Sequence, residues 1–403
     1  MPGKGHLRAV RGICAVVGLW LVFAYPSPGY GQGNIRVGDL RVHPFIELSG
    51  EWNDNISLSP RDEVDDFIWI LSPGVTLELP GRQLSLRLGY RADILRYQDQ
   101  DQLNETHHTL QGDARFNFTG GLSLYVSDEF KRTSDFAGFP VPELTSRILR
   151  NENLFRAGAE YTLRERIGLA LDYSFFLVDY RDEPVFDEFD REDHQIGATL
   201  FFRILPKTSI LGEYQFQAVR YDIDEVARDR DSDSNKFKVG LKGDLTEKTS
   251  VLVKVGAEFK DYDNPARDDW DGLILEAEAL HKYQEGSQIR LFASRANFES
   301  TFEQNNFYVS TYGGVEVRHQ IRPRLLLKLA GLVGRNEYPE ETALAGETKE
   351  RRDNFYEVGV ALRYQIRTWL AVEGSYDHLV RDSNFADFDY TNNRVRGTIS
   401  LTF

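Results

Sequence analysis

The clearest indication of the fold is the sequence RVRGTISLTF at the end of the chain, residues 394–403. Its apolar and polar residues alternate one by one. In a β-strand successive side chains point to opposite faces, so residues two apart share a face. One face of this strand therefore suits lipid. The other face carries Arg394, Arg396 and three hydroxyl side chains, and it suits water.

The same alternation recurs throughout the chain. Clear examples are residues 84–93, 236–245, 251–260 and 356–365. A tilted strand that crosses a bilayer needs roughly 9 to 11 residues, whereas soluble sandwiches use strands of about 5 or 6. These stretches are long enough to cross. The segment around Leu291 fits less well, because Phe292 and Phe298 fall on the polar face.

The connections between these stretches alternate in length. Short turns are predicted at 80–81, 120–121, 164–165, 206–207, 247–248, 285–286, 323–324 and 367–368. Longer polar loops are predicted at 57–66, 98–105, 135–145, 181–193, 222–232, 261–270, 300–305, 339–353 and 381–390. These 17 connections imply about 18 strands, an even number of the kind that outer-membrane barrels have.

The hydrocarbon of the membrane requires the sheet to be closed. Hydrocarbon cannot hydrogen-bond an open strand edge, so a sheet that spans the membrane must close on itself. A WD40 propeller shares the hairpin period of about 40 residues, but it packs four short strands into each period. We therefore predict an all-β fold: a single transmembrane antiparallel up-and-down β-barrel with long extracellular loops and short periplasmic turns. Both termini are then periplasmic.

The N-terminus is typical of a secretory signal peptide. Basic residues precede a short apolar run, residues 13–24, which is too short for a membrane-spanning helix of roughly 20 residues. Gly29 and Gly31 occupy the small-residue positions of a cut after residue 31. We expect residues 1–31 to be the signal peptide, 32–41 a short periplasmic segment and 42–403 the barrel. Cys14, the single cysteine, lies in the signal peptide, so disulfides and thiol chemistry are not expected.

Composition limits the function. The chain has a formal net charge of -15 and no basic stripe, which excludes nucleic acid as an expected partner. Charged side chains nevertheless occupy the middle of the strands. A dry core could not hold so many ions, whereas the water-filled lumen of a 16- to 18-strand barrel can. The residues predicted to line the lumen are Arg87, Arg91, Asp113, Arg115, Asp172, Glu213, Lys254, Glu258, Glu276, Glu278, Lys328, Glu357, Arg363, Glu373 and Arg396.

The apolar face carries aromatic residues. Outer-membrane barrels place such residues in girdles at both membrane interfaces. We predict this role for residues expected near strand ends, namely Tyr90, Tyr161, Tyr173, Tyr214, Tyr364, Tyr376 and Phe403.

Two resemblances add to this picture. Ile399, Leu401 and the terminal Phe403 resemble the C-terminal signal that the barrel-assembly machinery recognises. Residues 43–56, HPFIELSGEWNDNI, resemble the opening of a family of outer-membrane β-barrel porins, and residues 153–163 and 354–362 are similar to its repeating strands. That family often occurs with exopolysaccharide biosynthesis and export genes. The resemblance implies polysaccharide passage or partnership with a periplasmic export system, and it brings no catalytic residues.

Three candidate sites are weaker. The loop 229–235 is similar to a calcium loop, but Ser234 and Gly240 stand where an EF-hand needs Gly and Glu, so an acidic solvated loop is favoured and loose divalent binding stays open. His107 and His108 are too few for a metal site. His281 and His378 lack the spacing of an enzyme site. We predict no catalytic, cofactor or metal residues.

The leading hypothesis is a channel in the outer membrane of a Gram-negative bacterium, for passive or export-coupled passage of saccharides or exopolysaccharide. Its expected partners are outer-membrane lipid, lipopolysaccharide, the barrel-assembly machinery, and polysaccharide with periplasmic export components. A non-conducting interaction barrel with acidic outer loops is the alternative, and an outer-membrane enzyme is less favoured.

Overall fold

A computed structural model describes residues 35–403 apart from 144–145, 164–165, 182–183 and 224–228. The predicted cleavage site, including Gly29 and Gly31, lies outside the described residues. The strands are β1 (Ile35–Val37), β2 (Leu40–Asn53), β3 (Asp66–Leu79), β4 (Leu84–Tyr97), β5 (Glu105–Asn117), β6 (Leu122–Thr133), β7 (Arg150–Leu163), β8 (Ile167–Tyr180), β9 (Arg191–Leu205), β10 (Thr208–Tyr221), β11 (Ser232–Asp244), β12 (Thr249–Tyr262), β13 (Trp270–Gln284), β14 (Ser287–Glu299), β15 (Phe307–Arg322), β16 (Leu325–Leu344), β17 (Glu347–Arg367), β18 (Leu370–Ser383) and β19 (Tyr390–Thr402).

Strands β2 to β19 form a closed antiparallel barrel of 18 strands, as predicted. Each strand pairs with its sequence neighbours. The last strand, β19, closes the ring on β2 with a register that runs from Arg394 opposite Asn53 to Thr402 opposite Phe45. Short β1 pairs with the start of β2. Closure leaves every barrel strand hydrogen-bonded on both sides, which a hydrocarbon environment requires.

The remaining regular structure is small. Among the described residues, three short 3-10 helices lie in loops, at Asp101–Leu103, Pro184–Phe189 and Ala386–Phe388. Across the part of the chain that the structure describes, no helix is both long and apolar enough to cross a membrane.

The alternation predicted from the sequence separates an apolar outer face from a polar inner face. In β8, for example, Leu169 and Leu171 are exposed outward, whereas Asp172 and Ser174 line the interior. Such outward-facing apolar side chains are stable in lipid and unfavourable in water.

One predicted loop is wrong. The chain at 339–353 was expected to be a long polar loop, but β16 and β17 continue through it as a hairpin. The turn consists of Ala345 (φ 54°) and Gly346 (φ 84°). Positive φ at both central residues is the conformation of a tight hairpin turn. The prediction was wrong because this part of the hairpin has no apolar face, so its sequence shows no alternation of apolar and polar residues.

The outward tyrosines lie at a different depth from that predicted. Tyr90, Tyr173, Tyr214 and Tyr376 are exposed outward but lie in mid-strand rather than near the strand ends. Each contacts a polar residue near the start of the next strand. The pairs are Tyr90 Oη with His108 Nδ1 (2.9 Å), Tyr173 Oη with His194 Nδ1 (2.9 Å), Tyr214 Oη with Asn235 Oδ1 (2.8 Å) and Tyr376 Oη with Asn393 Oδ1 (2.8 Å). The strands therefore continue well beyond these tyrosines on the long-loop side. Tyr161, Tyr364 and Phe403 are exposed close to the short-turn ends of their strands.

Candidate permeation lumen

The barrel encloses a polar cavity of about 920 Å³. Its lining includes 16 Lys and Arg side chains and 16 Asp and Glu side chains, so the lining charge is balanced although the whole chain carries -15. Amide and hydroxyl groups, such as those of Gln215 and Thr398, lie between the charges. So many ionic side chains need water or ionic partners around them.

Twelve of the fifteen residues predicted to line the lumen border this cavity. They are Arg87, Arg91, Asp172, Glu213, Lys254, Glu258, Glu276, Lys328, Glu357, Arg363, Glu373 and Arg396. Asp113, Arg115 and Glu278 do not border it. Arg115 binds Glu160 (2.9 Å), and Glu278 binds Arg290 (2.8 Å). That any of these residues contacts a permeating solute stays a prediction.

The lining charges form networks that cross from strand to strand. Glu213 of β10 accepts from Lys238 of β11 (3.0 Å) and from Lys254 of β12 (2.9 Å), and Lys254 also reaches Glu276 (3.2 Å). On the far wall Lys328 Nζ lies 3.0 Å from Glu373. Glu213 with Lys238 and Lys254 with Glu276 are register partners on neighbouring strands, where opposite charges stabilise the sheet, whereas Lys254 with Glu213 and Lys328 with Glu373 reach across one intervening strand.

One such pair lies at the seam where the barrel closes. Arg396 of β19 donates from Nε to Oε2 of Glu51 in β2 (2.7 Å), and the two residues are register partners. Glu51 is buried. The pair therefore joins the two ends of the sheet by a charge-assisted hydrogen bond in addition to the backbone ladder.

The connection between β6 and β7 folds into the lumen. We call its described part, residues 134–143 and 146–149, the inward loop. Val141 is only 1% exposed and packs with Leu58, Tyr312, Leu332, Phe355, Leu379 and Tyr390. β6 and β15 are nine strands apart in either direction around the ring. The inward loop therefore crosses the lumen to the opposite wall.

Polar contacts fix the tip of the inward loop. The Glu143 carboxylate accepts from Ser300 Oγ (2.5 Å), Thr301 N (2.9 Å) and Thr301 Oγ1 (2.9 Å). Arg381 Nη1 donates to the Pro142 carbonyl (2.7 Å), and Tyr308 Oη donates to the Phe139 carbonyl (2.7 Å). These bonds satisfy the Glu143 carboxylate and the Pro142 and Phe139 carbonyls, as burial of polar groups requires.

The inward loop explains why β14 fits the alternation poorly. Phe298 faces the lumen, where its ring lies 5.1 Å from that of Phe139. Phe292 also packs on the cluster around Val141. Apolar residues on the polar face of a strand, together with Phe136, Phe139 and Val141 in a supposed polar loop, were the sequence signal for this contact.

Four long loops are closed by the same kind of hydrogen bond, which we call a clasp. In each, the backbone N–H of the last residue of the strand before the loop donates to the side chain of a residue just before the next strand. The pairs are Tyr97 with Asn104 (2.8 Å), Tyr180 with Asp190 (2.6 Å), Tyr221 with Asp231 (2.7 Å) and Tyr262 with Asp269 (2.9 Å). Burial, with Asp179, Asp187 and Asp222 nearby, raises the pKa of Asp190 to about 6, although the hydrogen bond from Tyr180 opposes the rise.

The weaker candidate sites are occupied by such structural contacts. In the supposed calcium loop Asp231 clasps Tyr221, and Asp233 binds Arg220 (2.7 Å). His107 Nε2 lies 2.9 Å from Ser134 Oγ inside the barrel, whereas His108 contacts Tyr90 outside it. His281 and His378 contact Thr249 and Asn393. Within the described ranges, no group of three or more His, Cys, Asp or Glu is placed to hold a metal ion.

The C-terminal strand presents part of the predicted assembly signal outward. Ile399 and Phe403 are each 49% exposed, and Leu401 is partly exposed. The Phe403 N–H donates to the Pro44 carbonyl (2.9 Å), so the last residue is tied to the first barrel strand. Recognition by the assembly machinery stays a prediction.

An apolar exterior, a closed 18-strand barrel and a charged, polar interior define a porin-like membrane channel. The chain belongs to the family described as "Putative beta-barrel porin 2", which matches residues 27–403. This membership confirms the resemblance found in the sequence and makes the protein an outer-membrane porin-like β-barrel.

Comparison with curated proteins gives no match. The solved barrel structures resemble this chain in overall barrel architecture, with low sequence identity. The outer membrane protein OpdK of Pseudomonas aeruginosa is 12% identical with a TM-score of 0.46, covering 90% of this chain and 99% of its own. OccAB3 of Acinetobacter baumannii is 11% identical with a TM-score of 0.47, covering 91% and 100%. The siderophore receptor PirA of Acinetobacter baumannii is 9% identical with a TM-score of 0.43, covering 89% and 80%. Likeness at this level says nothing about what passes through the lumen.

Proposed function

We propose that this porin-like channel carries hydrated saccharide chains, in passive or export-coupled passage of exopolysaccharide. The observation that supports this most is the balanced, internally paired charge of the lumen lining. Paired charges offer hydrogen bonds to hydroxyl groups without binding an ion of either sign tightly. Gln215, Gln217 and Ser234 add neutral donors and acceptors along the same surface.

The inward loop sets the width of the path. Thr301 and Arg381 on the far wall bind Glu143 and the Pro142 carbonyl of the loop, so it divides the lumen rather than lying against its own side. Phe139 and Phe298 present aromatic surface beside the polar lining. A sugar ring has both apolar C–H faces and hydroxyl edges, so such a mixed surface suits it.

We infer the orientation from the connections. Short turns of outer-membrane barrels are periplasmic and long loops are extracellular. Both termini then lie in the periplasm, where export components could deliver polysaccharide. The exposed apolar band contacts lipid and lipopolysaccharide.

A swelling assay tests the proposal. Liposomes that contain the refolded protein are placed in isotonic solutions of neutral oligosaccharides of increasing length. We expect swelling with mono- and disaccharides and slower swelling as length increases. Liposomes with an eight-stranded barrel of filled interior are the control. Swelling rates equal to this control for every sugar would contradict the proposal.

A second candidate is a non-conducting interaction barrel. The specific observation in its favour is the dense packing of the long-loop mouth, where Arg351 is fully buried with its guanidinium 3.5 Å from the centre of the Phe388 ring. Swelling separates the two candidates, because a plugged barrel passes no sugar. We propose no catalytic role.

A further inference from the structure

The two mouths of the barrel carry opposite charge. The described residues of the long connections contain 20 Asp and Glu against 5 Arg, whereas those of the short turns contain 5 Lys and Arg against 2 Glu. The described residues of the long connections therefore carry a net charge of -15, and those of the short turns a net charge of +3. Charges of one sign around a mouth create a field that steers charged solutes.

Basic side chains also face inward just above the short turns. We call Arg41, Arg203, Lys242, Lys282 and Arg318 the basic rim. Each lies on the same face of its strand as the residues that line the cavity. In β9, for example, Arg203 shares a face with the cavity-lining residues Arg191, Asp193 and Gln195. Its neighbour Phe202 is exposed outward. The rim residues come from β2, β9, β11, β13 and β15, so four of them lie on one arc of the ring and Arg41 lies on the opposite wall.

The basic rim differs from the lumen above it in its pairing. Lys238, Lys254 and Lys328 each bind a carboxylate. Among the described residues, no ion pair is formed by the basic-rim side chains. Lys242 instead lies over the Phe201 ring (5.5 Å). A cation without a protein partner keeps its capacity to bind an anion, whereas a paired one has largely lost it.

We propose that the basic rim captures anionic saccharide chains, those bearing carboxylate or similar acid groups, at the short-turn mouth. This rests on the proposed saccharide function. The unpaired cations concentrate the polymer at the short-turn entrance, the balanced lumen then lets it slide, and the acidic long-loop mouth disfavours its entry from the outer side. Lipid phosphates cannot be the ligand of the basic rim, because these side chains face the lumen.

The test compares block of the reconstituted channel by two saccharides of equal length, an oligogalacturonate and a neutral malto-oligosaccharide. Each is added to either side of a planar bilayer. Sidedness is read from streptavidin bound to biotin on Thr348→Cys, in the exposed β16–β17 hairpin. We expect the anionic chain to block at about tenfold lower concentration from the short-turn side at low salt, and the preference to shrink at high salt.

The variant Arg203→Gln/Lys282→Gln/Arg318→Gln should lose this preference. The matched control, Arg61→Gln/Arg181→Gln/Arg352→Gln, removes the same charge from the long-loop mouth and should keep it. Equal block by both saccharides would overturn the inference and leave the proposed function standing. A preference retained in the rim variant would assign the rim to another ligand, such as an acidic protein, and would also overturn it. Block by neither saccharide would overturn the saccharide function itself.

Discussion

Glu143 and Thr301 are joined by two hydrogen bonds across the lumen, from Thr301 N and Thr301 Oγ1 to the same carboxylate oxygen, each 2.9 Å long. The two residues lie 158 positions apart in the sequence. Glu143 belongs to the inward loop and Thr301 to the connection between β14 and β15. This contact fixes the inward loop against the opposite wall and so defines the path through the barrel.

Removal of this anchor should widen the channel. In Glu143→Ala the loop loses a buried carboxylate with three hydrogen bonds, and bonds to charged groups contribute about 1.5–3 kcal/mol each. We expect larger and noisier single-channel conductance than in the wild type. Glu63→Ala, an exposed acid at the same mouth, is the control and should conduct as the wild type does. Unchanged conductance in Glu143→Ala would show that the inward loop does not limit the path.

The seam pair should contribute to barrel stability. Arg396→Ala leaves Glu51 buried beside the closure between β19 and β2. We expect a loss of about 1–3 kcal/mol in the free energy of unfolding, less than for a fully buried pair, because the Arg396 side chain is 43% exposed. Urea titration followed by heat-modifiable gel mobility measures it.

The double variant Arg396→Ala/Glu51→Ala should recover part of this loss, since no charge is then left alone. Arg352→Ala breaks an equally short but exposed pair with Glu350 and should change stability by less than about 1 kcal/mol. A loss in Arg352→Ala as large as that in Arg396→Ala would argue against a special role for the seam.

The two faces of one strand should tolerate charge differently. Leu171 is 51% exposed on the apolar face of β8, and Ser174 lines the cavity from the same strand. Leu171→Arg should destabilise the barrel by roughly 2–4 kcal/mol, the cost of an arginine in the middle of the bilayer. Ser174→Arg should be nearly neutral. Equal yields of folded protein for both variants, in vesicles or in cells, would contradict the assignment of the faces.

Acid should stabilise the folded loop around Asp190. Because burial raises the pKa of this carboxyl from 3.8 to about 6, the native state binds a proton more tightly than the unfolded chain. The resulting stabilisation is complete below about pH 4 and is lost as the pH rises through about 6. Hydrogen exchange of the Tyr180 N–H, corrected for intrinsic rates, should therefore show more protection at pH 5 than at pH 7.5.

Asp190→Asn supplies the matched control for this pH effect. Asn104 holds the equivalent place beside Tyr97, so an asparagine can accept the same hydrogen bond. Protection in Asp190→Asn should be similar at both pH values. A pH dependence as large as that of the wild type would place the titrating group elsewhere.

Much of the barrel could be predicted because lipid imposes a local rule. Alternation in residues 394–403 assigns the faces of β19, and the alternating lengths of the connections give the strand number. Segments that do not contact lipid need not show this alternation, so it does not predict their structure. The β16–β17 hairpin beyond Glu337 lacks an apolar face and was therefore predicted to be a loop.

The inward loop could not be predicted in full for a different reason. Phe139 and Val141 showed apolar character in a loop, but their partners Tyr312 and Leu332 belong to strands far along the chain. No local periodicity connects residues that meet only after the barrel has closed. The basic rim is likewise visible only once the strands place residues 41, 203, 242, 282 and 318 around one mouth.

Planar-bilayer recording of the purified, refolded wild-type protein tests the central claim most directly, namely that the polar lumen is a channel. Heat-modifiable gel mobility first establishes that the barrel is folded. We predict discrete conductance steps, each from a single inserted barrel. Folded protein that inserts into the bilayer and gives no conductance steps would contradict the channel and favour the interaction barrel.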